Sequence, residues 1–272
     1  MPELPEVETI RRTLLPKLTG ATILSGEVLH EKMVLGITAE EFLKRVSGRK
    51  ITDLQRRGKY LLLELSAGTV IGIHLRMTGQ LTVEAADEPP AKATYFRLFL
   101  DDGTELRFRD QRKFGKVFLF EKGKPPASLR KLGPEPLSPE FSAAAFKKRL
   151  AQRKLAVKKA LLNQEIVAGI GNIYADEALF EAGIHPARAV NSLTDTEIDA
   201  LFQAVIKVLS AAIESRGTTF RDYRDGEGRS GAYQNKLKVY GQKGRPCPKC
   251  GSLIAKMNFG GRGTHFCPLC QI

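Results

Sequence analysis

The sequence predicts an α+β protein of several domains: a β-sandwich with flanking helices, then a helical domain, then a small hairpin organised by cysteines. Short strand-like runs dominate residues 1–121, whereas residues 141–236 carry mostly apolar side chains at helical spacing. A Pro-rich stretch at 122–140 separates the two patterns and is typical of a linker. All four cysteines lie in the last segment, 237–272. These four ranges are the predicted domains.

The first domain is expected to open with a helix that packs on a sheet. Apolar residues repeat at helical spacing from Val7 to Leu18, and Gly20 marks the helix end. A short second helix is predicted where Thr38 and Glu41 have capping-box spacing. Strands are predicted at 21–29, 50–55, 59–65, 69–75, 95–100, 105–109 and 116–120.

The second domain is predicted to be helical, with two informative connections. The turn 167–172 carries glycines that expose backbone N–H groups, as a phosphate-holding turn needs, although a plain helix–helix connection also fits. The glycine-rich segment 217–236 exceeds typical connections and suggests either a functional lid or disorder. The predicted helices span 143–150, 156–164, 173–182 and 195 to about 215.

The cysteines form the strongest local pattern. Cys247 and Cys250 are separated by two residues, sixteen residues follow, and Cys267 and Cys270 repeat the first spacing. This is the pattern of a tetrahedral four-cysteine zinc site. Disulfide bonding would not explain this spacing in a cytosolic protein. Because protein ligands fill every position, the single zinc is expected to be structural and to fold a hairpin that offers Arg262 to DNA.

The charge distribution favours a polyanionic partner. The chain carries 43 Lys+Arg and 30 Asp+Glu, a net charge of +13. The segment 147–159 holds seven basic and no acidic residues, and no acidic residue follows Glu227. Clustered cations gain affinity for nucleic acid by releasing condensed counterions. With no apolar run near the ~20 residues of a membrane span and no signal peptide, we expect a cytosolic protein without membrane association.

The first residues carry a candidate nucleophile. Removal of Met1 would leave Pro2 as a secondary amine beside the carboxylate of Glu3. An α-amino group has a pKa of about 8 against about 10.4 for lysine, so roughly a tenth of it is neutral near pH 7. Such an amine can attack an aldehyde-like carbon and form a Schiff base. An ordinary helix start is the alternative, since proline and carboxylates both suit the first turn.

Other candidates lie at the ends of predicted strands. Lys59 begins a strand after a tight turn, while Met77, Arg112 and Phe114 stand beside glycine turns and arginines. Most such apolar side chains belong to a core. Their positions also suit wedges that enter a duplex and open its base stack.

The motifs PELPEVETIRR, RRGKYL, HLRMTG, RKFG, VAGIGNIYADE and CPKC…GGRGTHFCPLCQ together resemble those of the bacterial formamidopyrimidine-DNA glycosylase family, from end to end of the chain. The resemblance implies excision of oxidised purines, chiefly 8-oxoguanine and formamidopyrimidines, followed by strand cleavage at the abasic site. It also implies an N-terminal β-sandwich, a helix–two-turn–helix domain and a C-terminal zinc finger. The protein would be a monomer of the bacterial cytoplasm, associated with the nucleoid through DNA.

The resemblance also assigns roles to residues of this chain. Pro2 would attack C1′, Glu3 would act as acid and base, Lys59 would serve β-elimination, and Arg262 would grip phosphate and serve δ-elimination. The segment 217–236 matches the lesion-capping loop. The DNA contacts implied are Met77, Arg112, Phe114, Arg153, Lys154, Lys158 and Asn172; the zinc ligands are Cys247, Cys250, Cys267 and Cys270. We also assign His74 to a phosphate contact; the alternative is a strand-end histidine whose hydrogen bonds are satisfied within the protein.

The sequence departs from the family pattern in two places. Ala93 and Tyr95 stand where many members carry a His-x-His pair whose first histidine contacts DNA, and Thr78 stands where some carry a glutamate near the lesion. One alternative function is a non-catalytic zinc-ribbon DNA-binding protein. The other is the endonuclease VIII branch, which removes oxidised pyrimidines; Leu4 and the RKFG segment favour the purine branch.

Overall fold

The computed structural model describes residues 2–151 and 153–272. They divide into two compact units. The first contains the described residues up to Arg130 together with Ser215–Ala232, and the second contains the described residues of Lys131–Glu214 together with Tyr233–Ile272. Among the described residues, no helix is both long and apolar enough to cross a bilayer.

The first unit is built on two β-sheets that enclose a common core. One sheet has the order β1-β7-β8-β6 and the other β2-β9-β5-β4-β3, and all pairs are antiparallel except β2 with β9. Side chains from both sheets, such as Ile71 and Phe108, are fully buried in one cluster. The strands are β1 Ile23–Val28, β2 Val34–Leu35, β3 Ile51–Arg57, β4 Tyr60–Leu65, β5 Thr69–His74, β6 Gly79–Ala85, β7 Thr94–Leu100, β8 Thr104–Asp110 and β9 Lys116–Glu121.

Three helices belong to this unit. Helix α1, Leu4–Leu18, packs on β3, β4 and β6 through its buried apolar face, as the sequence predicts. Helix α2, Ala39–Val46, begins where the Thr38 hydroxyl accepts the backbone N–H of Glu41 at 3.1 Å. Helix α3, Ala127–Arg130, is a single turn within the Pro-rich stretch. Strands β2 and β6 and helix α3 were not predicted.

The second unit is helical with a small two-stranded sheet. Its helices are α4 Ala143–Leu150, α5 Val157–Leu162, α6 Asn172–Ala182 and α7 Asp195–Glu214. Helix α6 packs on α5, α7 and strand β11, Arg262–Phe266, which pairs with β10, Ala255–Phe259. Around the cysteines the core is small, with Phe180, Val239, Cys247, Ile254 and Cys267 buried together. The predicted combination of β-sandwich, helical domain and cysteine hairpin is confirmed.

Candidate active site, metal centre and nucleic-acid interface

The start of α1 holds the predicted nucleophile and its acid/base partner. Pro2 and Glu3 are both buried, and Glu3 is the N-cap of the helix. The Oε2 atom of Glu6 accepts the backbone N–H of Glu3 at 2.8 Å, as part of a capping box. This cap fixes the backbone beside Pro2. Met1, whose removal the nucleophile requires, lies outside the described residues.

A loop, residues 215–232, is fastened to the same helix. The other oxygen of Glu6, Oε1, accepts the backbone N–H of Thr218 at 2.7 Å. The hydroxyl of Thr13 accepts the N–H of Gly226 at 3.0 Å. Gly217 has a φ of +80°, and a Cβ there would lie 2.7 Å from Oε1 of Glu6, so this approach requires glycine. The glycine-rich segment is therefore ordered against α1 over residues 215–232.

Lys59 lies in the two-residue turn between β3 and β4, whose last pair is Arg57 with Tyr60. The turn begins with Gly58 at a φ of +57°. The side chain of Arg56 donates from Nη1 to the carbonyl of Gly58 at 3.1 Å and from Nε to Oε2 of Glu8 at 3.0 Å. Glu8 lies on α1, so this chain of contacts holds the lysine turn beside the first half of the helix that Pro2 precedes.

Glu8 stays ionised well into the acid range. Burial opposes ionisation, but hydrogen bonds from Arg11 and Arg12 outweigh it and lower the pKa of Glu8 from 4.5 to about 2. Sequence reasoning did not single out this residue, because its partner Arg56 is 48 residues away.

Glu8→Gln is expected to destabilise the protein at pH 7 by up to about 3 kcal/mol, since a lowered carboxylate pKa stabilises the folded state. This contribution is fully present above about pH 4.5 and disappears as the pH falls through about 2, so the two proteins should converge in acid. Urea unfolding at several pH values measures the difference. Glu40→Gln, at an exposed position on α2, is the control. A pH-independent difference would contradict the prediction.

His74 is held as a neutral hydrogen-bond donor. Burial, followed by the charges of Arg76 and Lys59, lowers the pKa of His74 to about 3. Its Nδ1 accepts the backbone N–H of Arg76 at 3.0 Å, which places the ring proton on Nε2. The ring also packs edge-on against Tyr60, 4.6 Å between centroids. Such an imidazole can donate to a phosphate oxygen without carrying charge.

The predicted wedge residues occupy two exposed turns at the edge of the sandwich. Met77 is 39% exposed between β5 and β6, and Phe114 is 48% exposed between β8 and β9. The guanidinium of Arg112 lies 4.8 Å above the ring of Phe114. These apolar side chains are therefore not core residues. Ring and cation form a pre-assembled surface suited to stacking on bases.

The departure at Tyr95 has a local structural consequence. The ammonium of Lys113 lies 4.8 Å above the Tyr95 ring, and the carbonyl of Ala93 accepts the backbone N–H of Asp110. Tyr95 thus supports the turn that carries Arg112 and Phe114.

The four cysteines form a metal site. Their Sγ atoms all lie within 4.8 Å of one another, with Cys247 3.9 Å from Cys270 and Cys250 3.5 Å from Cys267. Tetrahedral zinc with Zn–S bonds of about 2.3 Å would separate thiolates by about 3.8 Å. The donor set and its spacing therefore fit one structural zinc, as predicted from the sequence.

The strands β10 and β11 present Arg262 at a tight turn. Gly260 and Gly261 form the two-residue loop with φ values of +58° and +73°, the combination that a type I′ hairpin turn requires. Arg262 follows directly and is exposed. The zinc hairpin therefore holds an arginine at its tip.

Asn172 is connected to this hairpin. It is the first residue of α6, and its Nδ2 donates to the carbonyl of Gly263 at 2.9 Å. The preceding glycine turn is held by Gln164, which accepts the N–H of Gly169 and donates to the carbonyl of Ile170, each at 2.9 Å. Sequence reasoning missed Gln164. The helix start and the arginine hairpin thus form one continuous surface of the second unit.

The structure places Lys158 differently from the two basic residues that precede it in the segment. Arg153 and Lys154 are exposed, but Lys158 is completely buried. Its Nζ lies 2.6 Å from Oδ1 of Asp176 and donates to the Thr264 hydroxyl at 2.7 Å. Because a buried ammonium keeps its charge only with such partners, Lys158 joins α5, α6 and β11 in the described structure, and its DNA contact stays a prediction.

Three protein-family models match the chain. Residues 1–117 match the formamidopyrimidine-DNA glycosylase N-terminal domain, 132–224 the formamidopyrimidine-DNA glycosylase H2TH domain, and 244–272 a zinc finger found in FPG and IleRS. The formamidopyrimidine-DNA glycosylase of Symbiobacterium thermophilum is 49% identical over 273 residues, which cover 100% of this chain and 89% of that protein.

Solved structures agree with these matches. The Lactococcus lactis Fpg in complex with an abasic-site-containing DNA has a TM-score of 0.93 and 39% identity, over 99% of both chains. A second structure of that protein, with an N7-benzyl-Fapy-dG-containing DNA, gives the same TM-score, identity and coverage. Family models match both large domains, and the relative and the solved structures align with this chain over nearly its full length. The chain therefore belongs to the formamidopyrimidine-DNA glycosylase family.

Proposed function

We propose that the protein is a bifunctional DNA glycosylase and abasic-site lyase of base excision repair, which removes oxidised purines such as 8-oxoguanine and formamidopyrimidines. The observation that carries the proposal is the start of α1, where Pro2 and Glu3 are adjacent and Glu8 holds the Lys59 turn beside the same helix. The names of the relatives and the damaged or abasic DNA in the two Lactococcus lactis complexes support it.

In the proposed reaction, the Pro2 amine attacks C1′ of the damaged nucleotide. The C1′–N bond to the base breaks, the base leaves with a proton, and opening of the sugar ring gives an iminium between Pro2 and C1′. Glu3 donates a proton to the ring oxygen and later accepts one. The iminium acidifies the C2′ proton, whose removal expels the 3′ phosphate, and a second elimination expels the 5′ phosphate. Lys59 and Arg262 assist these two departures.

The DNA-binding residues act through phosphate contact and base-stack insertion. We assign phosphate contacts to His74, Arg153, Lys154 and Asn172, and insertion into the gap left by the flipped base to Met77, Arg112 and Phe114. Flipping costs a few kcal/mol, which these contacts offset. The zinc is structural: Cys247, Cys250, Cys267 and Cys270 hold it, and it folds the Arg262 hairpin.

The proposal also covers the domain bounds, the oligomeric state and the location of the protein. We propose a β-sandwich domain at 1–121, a linker at 122–140, a helix–two-turn–helix domain at 141–236 and a zinc hairpin at 237–272, with the loop 215–232 of the third range packed in the first compact unit. The protein acts as a monomer in the bacterial cytoplasm, bound to the nucleoid through DNA.

Borohydride trapping on duplex DNA with 8-oxoguanine opposite cytosine tests the proposal. Reduction of the imine should give a covalent adduct that peptide mapping locates at Pro2. A protein that only binds DNA gives no adduct on any lesion. A pyrimidine-specific enzyme gives one on oxidised thymine alone, and either result would overturn the purine assignment.

Glu3→Gln is expected to slow base excision by about a hundredfold or more, the usual contribution of a positioned acid/base group. The amide oxygen can still accept a hydrogen bond at the helix cap, so the melting temperature should change little. Single-turnover excision from the 8-oxoguanine duplex measures the effect. A large fall in the melting temperature would instead show that the variant had lost the helix cap, so the slower excision could not be assigned to a missing proton transfer.

Arg262→Ala is expected to weaken DNA binding and reduce the slope of log K against log[salt] by about 1, because one phosphate contact disappears. Fluorescence anisotropy between low and moderate salt gives both quantities. Lys32→Ala, an exposed cation on the sandwich, provides the control. An unchanged slope would remove Arg262 from the phosphate contacts.

A further inference from the structure

The two wedge turns share an uncommon backbone conformation. Arg76, directly before Met77, and Lys113, between Arg112 and Phe114, both have a φ of +57°. Non-glycine residues rarely adopt this left-handed region, and they persist there only where surrounding contacts enforce it. Contacts with neighbouring residues must therefore stabilise the backbone of each turn.

A single buried carboxylate contacts both turns. Asp110 is completely buried, and its Oδ1 accepts the hydroxyl of Thr78, on the Met77 side, at 2.5 Å. The same oxygen accepts the backbone N–H of Arg112 at 3.2 Å, and Oδ2 accepts that of Gly115 at 2.7 Å. One side chain thus spans the turn of Arg112 and Phe114 and reaches the turn of Met77.

Thr78 completes the connection. Its Oγ1 donates to Asp110 and accepts the backbone N–H of Arg112 at 3.2 Å, so the hydroxyl lies between the two turns. A glutamate here, as some relatives carry, would bring a second carboxylate towards the buried one, and like charges repel. A threonine hydroxyl can lie against this carboxylate without that repulsion.

We propose that Thr78 and Asp110 form a latch that holds Met77, Arg112 and Phe114 as one preformed wedge, so that Thr78 is a positioning residue for base flipping. The proposal rests on the function proposed above. A preformed wedge enters the duplex without first ordering two separate turns, which lowers the cost of insertion. The latch has no part in the sugar chemistry at Pro2.

The test compares a substrate that needs flipping with one that does not. Thr78→Val removes the hydroxyl and should slow single-turnover excision from the 8-oxoguanine duplex about tenfold, the size expected for a lost hydrogen bond to a charged group. Borohydride trapping on a single-stranded oligonucleotide with a preformed abasic site should stay within about twofold of wild type, because no base pair is opened there. Thr78→Ser should recover most of the duplex rate.

Two variants make the comparison specific. Thr82→Val removes another hydroxyl–carboxylate hydrogen bond, to Glu84 on the same strand, and should leave both rates unchanged. Thr78→Ala, which places no methyl against the carboxylate, replaces Thr78→Val if the latter melts below the assay temperature. Fluorescence of 2-aminopurine placed beside the lesion should show slower unstacking of the DNA bases with Thr78→Val and with Thr78→Ala.

Each outcome decides the matter. A wild-type duplex rate in Thr78→Val and Thr78→Ala, or an equal loss on both substrates, would overturn the latch. Selective loss on the duplex with recovery by serine supports it. Failure of the wild-type protein on both substrates would instead refute the proposed function.

Discussion

A chain extended by one glycine before Pro2 is expected to lose base excision and borohydride trapping while it keeps its affinity for duplex DNA. The extension turns the secondary amine of Pro2 into an amide nitrogen, whose lone pair is delocalised into the carbonyl. An amide nitrogen does not attack C1′, so excision should fall by at least about a thousandfold.

Pro2→Gly provides the matched control for this extension. It removes the pyrrolidine ring but leaves an α-amine, which remains partly neutral near pH 7. Measurable trapping by Pro2→Gly and none by the extended chain would assign the chemistry to the amine. Rapid trapping by the extended chain, with the adduct mapped to another residue such as Lys59, would contradict the prediction.

Cys247→Ala is expected to release the zinc and weaken binding to duplex DNA on the order of a hundredfold, because the hairpin that holds Arg262 unfolds. In the described part of the chain, five buried residues form the core around the site, and two of them are cysteine ligands. A core of that size cannot hold a fold without the metal. Zinc content and anisotropy on the same preparation measure the two losses.

Leu269→Ala is the control for the metal site. Leu269 lies between two ligands but is 69% exposed, so the variant should keep both zinc and affinity. DNA affinity that survives verified zinc loss would show that the hairpin folds by itself.

Much of the fold could be predicted from the sequence because its signals are local. The helical spacing from Val7 to Leu18 gave α1, and the cysteine spacing gave the hairpin. Strand β6 was not predicted, although Leu81 is buried and Val83 is partly buried, as expected for alternate residues of a strand. This short alternation directly follows the HLRMTG motif, which was interpreted as a strand end. Strand β2 has only two residues and exists through its pairing with β9, which no local pattern reveals.

The supporting residues of the site were harder to predict. Asp110, Glu8 and Gln164 act by accepting or donating hydrogen bonds around functional turns, and their types are common on any surface. The position of Lys158 was also hard to predict, because a basic segment suggests an exposed side chain. Its burial depends on Asp176, eighteen positions away on another helix. Only Glu6, three residues after the N-cap, carried a recognisable spacing.

That glutamate also has a thermodynamic consequence. One oxygen of Glu6 holds the N–H beside Pro2, and the other holds the N–H of Thr218 in the 215–232 loop. Release of the loop takes away a donor that orients this carboxylate, so the order of the helix start and the order of the loop are linked equilibria. A ligand that stabilises the loop in this position therefore also stabilises the backbone beside Pro2. By thermodynamic reciprocity, an ordered backbone there stabilises the loop by the same coupling free energy. The backbone beside the proposed nucleophile is therefore held most firmly when the loop is in place.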